Sequence, residues 1–363
     1  MEISVVIPVY NAEKTIIRCL EGVYSQTFKE FELILVDNNS TDNSARLIED
    51  FISKNKGLNI HILHEPKQGS CAARNRGARN AIGKIIVNTD PDCIADKNWL
   101  KDIASAFDAT PTAYPPYKGG DGEVGAVAGN IYGFNPQGII EKFLSLFTLR
   151  GLGEQKIFER YDLLTGGFAT ANLSVKKDIF GRIGGFDEDI NIYGEDHDIC
   201  ARIYKAGYKI ITVRDALIYH IHRNDLQGFV RQNINFGIAH SVLLRKHFPQ
   251  GLFLEFPRFT YMKEGGFTLP TTSFGIPVWL NLNSFDKKLF FLCLIGYIFP
   301  PAMILLPLYL TYQIYDIKKR GERLDMRISI FEGLEMAGLL FVKSLFITFG
   351  SIYGSFKYRV LCI

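Results

Sequence analysis

Apolar positions along the first two thirds of the chain fall into short continuous runs separated by segments of helical spacing. Ile3 to Tyr10 is a run of the kind a fully buried strand carries, and Thr15 to Gln26 then places Ile16, Ile17, Leu20 and Val23 on one helical stripe. Phe31 to Val36 is a second strand, Asp37-Asn38-Asn39-Ser40 a turn, and Leu47, Ile48, Phe51 and Ile52 mark the next helix. Ile60 to Leu63, Ser70 to Ala81 and Lys84 to Thr89 continue the alternation. Strand, helix, strand with short connections predicts an α/β fold around a mostly parallel sheet covered on both faces. The Pro- and Gly-rich stretch from Pro111 to Glu123 reads as a surface loop, because strand-like sequence resumes at Val124. Later, Glu195 opens a helix with Ile199, Ile203 and Tyr204 on one face and a stop at Gly207, and Leu226 to His247 predicts a long amphipathic helix.

The last quarter follows a different pattern. Leu289 to Tyr315 is 27 residues without a charge, long enough to cross a bilayer. Pro300, Pro301 and Pro307 lie inside it, so a broken or re-entrant pair of half-helices is the alternative to one straight span. Lys318, Lys319, Arg320, Arg323 and Arg327 follow, a basic connector that the positive-inside rule keeps in the cytosol. Gly333 to Phe356 is apolar but holds Glu335 and Lys343, which favours an interfacial amphipathic helix over a span. The chain therefore divides into an α/β domain over 1–250, an amphipathic linker region over 251–288 and membrane-associated hydrophobic helices over 289–363.

Composition narrows the function. The net charge of +3 provides no field for holding a polyanion, and no basic stripe stands out, so nucleic acid is excluded as a partner. The six cysteines are far apart, without the spacing of a zinc site or disulfide scaffold, and read as buried thiols in a reducing compartment. The N-terminus lacks the basic start and long apolar core of a signal peptide, which places the α/β domain on the cytoplasmic side of the cell membrane.

Acids gather where a parallel sheet binds its ligands, beyond the carboxyl ends of the strands: Asp37 after the second, Asp90 and Asp92 after the fourth. Two carboxylates two residues apart can serve a nucleotide sugar, one at the ribose and one on a divalent cation. An acidic pair in a turn is also compatible with a solvated loop. The runs Ser4-Val-Val-Ile-Pro-Val-Tyr-Asn11, Ser25-Gln-Thr-Phe28, Phe31-Glu-Leu-Ile-Leu-Val-Asp-Asn-Asn-Ser40 and Gly69-Ser-Cys-Ala-Ala-Arg-Asn75, with the Asp90-Pro91-Asp92 triplet, resemble family 2 of the glycosyltransferases. Gly184-Gly-Phe-Asp187 and Gly194-Glu-Asp-His-Asp198 resemble that family's later signature, so the likeness covers roughly 3–215.

The resemblance implies a GT-A fold, a nucleotide-diphosphate sugar donor, a glycan or lipid-linked acceptor, membrane lipid as a partner, and a divalent metal, Mg or Mn. It puts Pro8, Tyr10 and Asp37 at the base, Arg74 near the base or diphosphate, Asp90 at the ribose and Asp92 on the metal. It makes Asp196 the general base and Glu195 its supporting acid in a single inverting displacement. The helix dipole at this position favours ionised carboxylates. An already ionised polyprenyl phosphate acceptor would need no base, so the acid pair favours a hydroxyl acceptor; a polyprenyl-phosphate glycosyltransferase and a sugar nucleotidyltransferase are the alternatives. The chain lacks the Gln-x-x-Arg-Trp signature of processive synthases, which favours one sugar per encounter. His220 and His222 share a face if they continue a strand, and His222 is taken as a further metal ligand. In the loop Thr165 to Asn172, Gly167 and Asn172 are the candidate acceptor-binding residues.

Overall fold

The computed structural model describes residues 2–55, 57, 59–108, 123–148, 152, 155–161, 167–190, 193–249, 252–255, 266–269 and 276–363. The chain forms two compact units, the first of Met1–Pro136, Leu149–Asn191 and Glu195–His222, the second of Gln137–Thr148, Ile192–Gly194 and Arg223–Ile363.

The first unit alternates as the hydrophobic pattern predicts: β1 (Ile3–Val9), α1 (Ile16–Tyr24), β2 (Phe31–Asp37), α2 (Ser44–Lys54), β3 (Asn59–His64), α3 (Ser70–Asn80), β4 (Ile85–Asn88), β5 (Cys93–Ala95), α4 (Trp99–Asp108) and β6 (Val124–Gly133). The helix α5 (Ile139–Phe147) belongs to the second unit, after which the first resumes with β7 (Ile157–Phe158), β8 (Leu173–Lys176), α6 (Lys177–Arg182), α7 (Glu195–Lys205) and β9 (Lys209–His220). The sheet order is β3-β2-β1-β4-β8-β6-β9-β5, with β7 on β9. β1 pairs in parallel with β2 and β4, and β2 with β3, so their carboxyl ends emerge on one edge. β8 runs antiparallel to β4 and β6, which makes the sheet mixed. Alternate residues of β1 enter opposite layers: Val5, Ile7 and Val9 pack with α1 and α4 residues such as Leu20 and Trp99, whereas Val6 packs with Ala73 and Phe180. Gly77 lets α3 lie close on the sheet, because a Cβ there would collide with Val6. The residue one turn earlier on that face is Arg74.

The second unit adds α8 (Leu226–His247), β10 (Leu252–Glu255), β11 (Gly266–Leu269), β12 (Val278–Asn281), α9 (Phe285–Ile298), α10 (Leu305–Glu322), α11 (Ile330–Tyr358) and β13 (Leu361–Cys362). Its small sheet has the order β11-β10-β12-β13. The backbones of α8 and α11 touch, since a Cβ on Gly237 would collide with the Ile347 carbonyl and one on Gly350 with the Ile234 carbonyl. Ser241 Oγ donates to Ser351 O at 3.2 Å, and Ser351 Oγ to Gly237 O at 3.3 Å. α11 starts in a capping box, Ser329 with Glu332, whose carboxyl is held down at about 2 by the Lys142 ammonium at 2.6 Å and the Ser329 backbone N–H.

The structure revises parts of the sequence reading. The division falls near residue 222 rather than 250, because α8 packs along α11, and α5 joins the same unit. Of the two readings left open for the uncharged stretch, the structure has the broken one: α9 ends at Ile298, Pro300–Ile304 is a 3-10 turn, and α10 begins at Leu305. Among the described residues it is instead α11, read from sequence as interfacial, that is long and apolar enough to cross a membrane. Cys293 is exposed, while the other five cysteines are buried as expected. The Pro111-to-Glu123 loop lies outside the described residues except for Glu123, and strand does resume at Val124.

Candidate active site

At the strand edge of the first unit, Asp37 is the last residue of β2 and Tyr10 follows β1, 53% exposed. Pro8 is buried in β1 opposite Val36, so the accessible aromatic face there belongs to Tyr10. The Ser40 N–H donates to Asp37 Oδ1 at 3.2 Å, and the parallel register sets His64 opposite Asp37, with Nδ1 3.4 Å from Oδ2. Asn38 clamps the loop that leads into α3: its Nδ2 donates to Glu65 O and Lys67 O at 2.7 and 2.8 Å, and its Oδ1 accepts from Gly69 N–H at 2.7 Å. Gly69 has φ +141°, a left-handed conformation that favours glycine.

Arg74 sits at the centre of the acids. It is 3% exposed, its Nη2 donates to Asp90 Oδ1 at 2.5 Å, its Nη1 lies 3.7 Å from Glu195 Oε1, and its guanidinium faces the Phe186 ring at 5.6 Å. Its Nε and Nη1 are buried without hydrogen-bond partners. The neighbouring Asn75 holds the Gly184-Gly-Phe-Asp187 loop, with Nδ2 donating to Phe186 O at 2.9 Å and Oδ1 accepting from Phe186 N–H at 2.8 Å. That loop needs both glycines, at φ +82° and +69°. Two motifs more than a hundred residues apart are thus one hydrogen-bonded unit.

Glu195 and Asp196 open α7. Burial, with the Asp196 charge beside it, pushes the Glu195 carboxyl up to about 7 despite Arg74. The helix dipole is therefore outweighed at this residue. The third acid, Asp198, is fully buried and receives two hydrogen bonds from Arg202, at 2.9 and 2.7 Å, while Arg202 also binds the carbonyls of Ile183 and Gly185. Asp198 is structural.

Asp92 Oδ2 lies 3.3 Å from His220 Nε2, and ligand atoms of Asp92, Cys93 and His220 all fall within 4.8 Å of one another. The histidine beside Asp92 is His220, the last residue of β9, rather than His222, because β5 pairs antiparallel with β9 and sets Cys93 opposite His220. His222 is buried, its ring 4.8 Å from that of His220. Burial, reinforced by Asp92 and Asp90, pushes the Cys93 thiol well above its ordinary range, and a neutral thiol is a poor ligand for a hard cation. A carboxylate with an imidazole beside it fits Mn, while Mg would be held by the carboxylate alone.

Asn172 is not available to an acceptor. It is 1% exposed, its Oδ1 accepts from Trp99 Nε1 at 2.7 Å and its Nδ2 donates to Asn130 O and Ala216 O at 2.8 and 2.9 Å. A buried amide with these partners is a packing element. Gly167 lies against the His197 ring, where a Cβ would collide, and Tyr161 Oη is 3.0 Å from His197 Nδ1; residues 165 and 166 of that loop lie outside the described residues. Sequence reasoning missed Asn38, Asn75 and His64. The first two stand inside quoted motifs, and His64 could be found only through strand register.

A family model described as "Glycosyl transferase family 2" matches residues 4–160, and one described as "Glycosyl transferase family group 2" matches residues 85–315. The chain is 28% identical over 225 residues to "Glycosyltransferase AglE" of Haloferax volcanii, covering 60% of this chain and 66% of that protein. It is 24% identical over 246 residues to the "Dolichyl N-acetyl-alpha-D-glucosaminyl phosphate 3-beta-D-2,3-diacetamido-2,3-dideoxy-beta-D-glucuronosyltransferase" of Methanococcus voltae, covering 67% of this chain and 74% of that one. Its fold resembles that of the mannosyltransferase PcManGT from Pyrobaculum calidifontis, solved in complex with GDP-Man and Mn2+, with a TM-score of 0.51, 18% identity, and coverage of 95% of this chain and 86% of that one.

Proposed function

The chain belongs to glycosyl transferase family 2 and has the GT-A fold, and on that premise we propose that it moves a single sugar from a nucleotide-diphosphate sugar to an acceptor hydroxyl, with inversion at the anomeric carbon. The observation that carries this reading is the buried Arg74, joined at once to Asp90 at the end of β4 and to Glu195 of the acid pair. One guanidinium thereby ties the donor side of the edge to the group that handles the acceptor's proton. Its Nε and Nη1, which make no hydrogen bond, are donors of the kind an anionic oxygen takes.

Each side chain then has a task. Asp37 accepts from a ring N–H of the base, Tyr10 covers the base's face, and Asp90 takes the ribose. Asp92, with His220 beside it, would hold a divalent cation, Mg or Mn, which when bound would neutralise charge on the departing diphosphate. Asp196 takes the proton of the acceptor hydroxyl, and Glu195 orients the pair through Arg74. One base and no covalent intermediate make the displacement inverting. A lipid-linked saccharide is the acceptor class favoured, supported by the name of the methanococcal relative and by the apolar second unit, and our reading has the reaction at the cytoplasmic membrane face.

The test is release of nucleoside diphosphate from a panel of nucleotide sugars in the presence of lipid-linked acceptors. Pyrophosphate release instead would overturn the assignment in favour of nucleotidyl transfer.

A further inference from the structure

The stretch between β12 and α11 carries a feature that the proposed reaction does not use. α9 and α10 are a broken pair. The turn at Pro300–Ile304 lies against α9, where a Cβ on Gly296 would collide with Met303, and Phe285 stacks 5.7 Å from Tyr309, so the chain doubles back on itself. Within the uncharged stretch 289–315, only Leu292, Gly296 and Tyr309 are buried, with Phe285 just before it. Around them the turn presents large apolar side chains, with Tyr297 86%, Ile298 74%, Phe299 61% and Ile304 62% exposed. A patch of this kind on a water-facing surface marks a binding surface.

Charge and length together say what it binds. Every charge of the hairpin lies at its open end: Asp286, Lys287 and Lys288 at the start of α9, and Asp316, Lys318, Lys319, Arg320 and Glu322 at the end of α10, with Arg323 and Arg327 following. Lys319, Arg323 and Arg327 are exposed. Tyr315 sits just inside this collar, with Lys319 over its ring at 5.9 Å, as aromatic residues do at a headgroup boundary. The uncharged helical part of α9, 289–298, is about 15 Å long, and that of α10, 305–315, about 16 Å. The hydrocarbon core of a bilayer is about 30 Å thick, so each arm reaches about half of it.

We propose that α9 and α10 form a single-leaflet anchor: the hairpin enters an anionic leaflet tip first, turns back at Pro300–Pro301 near the bilayer midplane, and leaves through the face it entered, its basic collar on the lipid phosphates. The proposal rests on the membrane placement above and on none of the transfer chemistry. Pro301 and Pro307 fit this setting, because the irregular backbone at the tip is short and the donors that the prolines lack need no partner.

The test uses the full-length chain with Cys293→Ser, the one exposed cysteine removed, and either Ile298→Cys or Lys319→Cys, bound to preformed phosphatidylcholine vesicles with or without phosphatidylglycerol. A sulfonated maleimide supplied outside labels Lys319→Cys. Ile298→Cys is labelled from neither side, and a fluorophore coupled to it before binding is quenched most by a nitroxide deep in the acyl chain. Adding phosphatidylglycerol strengthens flotation, and neutralising Lys318, Lys319 and Arg323 to Gln weakens it roughly tenfold on anionic vesicles only. Labelling of Ile298→Cys by reagent trapped in the lumen overturns the proposal in favour of a full span. Labelling from outside, or tip-to-tip crosslinking between two chains without lipid, overturns it in favour of a protein contact. Absence of flotation overturns it together with the membrane placement, and nucleoside diphosphate release reports separately on the reaction.

Discussion

The first unit keeps its large apolar side chains inside, whereas the second buries some, such as Phe143 and Phe229, and leaves others exposed along its C-terminal helices. In the first, Ile3, Ile7, Leu20, Leu33, Leu35, Ile86 and Trp99 are fully buried, and the exposed edge is polar. In the second, α11 turns mostly small residues inward, Gly333, Ala337, Gly350, Ser351 and Gly354 beside the larger Met336, and leaves Phe331, Phe349 and Phe356 exposed. Burial of large side chains is what water rewards. Close approach through small residues is what remains when the surroundings are as apolar as the side chains. The contrast also shows where chemistry can reside. The first unit can gather Arg74, Asp90 and Glu195 around one guanidinium because a rigid sheet fixes the strand ends, whereas the charges of the second are spent on caps and a collar.

The strongest way to test this division is to remove one acid from the strand edge. Asp196→Ala and Asp92→Ala are each expected to cut transfer by about 10²–10⁴-fold, with an unchanged melting curve; full activity in either would remove that residue from the mechanism. Arg74→Ala should abolish transfer and also destabilise the first unit by about 3 kcal/mol, because it leaves Asp90 and Glu195 without their buried partner; chemical denaturation measures it. The packing contrast predicts reversed outcomes for similar changes. Leu33→Ala should cost about 2–5 kcal/mol, and Gly350→Val, which adds bulk where backbones touch, about 1–3 kcal/mol or more. Phe349→Ala, although it removes a whole ring, should stay within about 0.5 kcal/mol in detergent. A large loss at Phe349 would undo the comparison.

The acid pair also carries a pH dependence. The folded-state pKa of Glu195, about 7, lies above its ordinary value of 4.5, so the folded chain binds the extra proton. Its contribution to stability is present below about pH 4.5 and is lost as pH rises through about 7. Glu195→Gln should flatten that part of the melting-temperature profile.

Much of the fold was legible in sequence because the signals are local. Buried parallel strands need continuous apolar runs, and the helices between them need one stripe, so β1, β2, β4, α1 and α3 fall within a residue or two of their predicted bounds. The motif acids were legible for the same reason, since they follow strand ends. Asn172 misled because an amide's capacity to bind a ligand looks the same in sequence as its capacity to satisfy Trp99 and two carbonyls. Which of the two histidines stands next to Asp92 was not legible, because it depends on where β9 stops, and the pairing of β5 with β9 decides that. The uncharged stretch gave a length without a path; the prolines marked the break, and the packing of Phe285 on Tyr309 shows the return.

By itself, the sequence determined the alternating α/β unit, the family, the acids at the strand ends and the apolar surplus of the tail, all of which rest on periodicity and short-range motifs. Tertiary structure alone decided that Arg74 is buried between Asp90 and Glu195, that Asn75 binds the glycine loop to α3, that His220 stands beside Asp92, and which way the large side chains of α11 face. The physical reason is distance along the chain. A carboxylate's charge state, a guanidinium's partner and a helix's outward face depend on groups a hundred residues away, and only the folded sheet and helices bring those groups together.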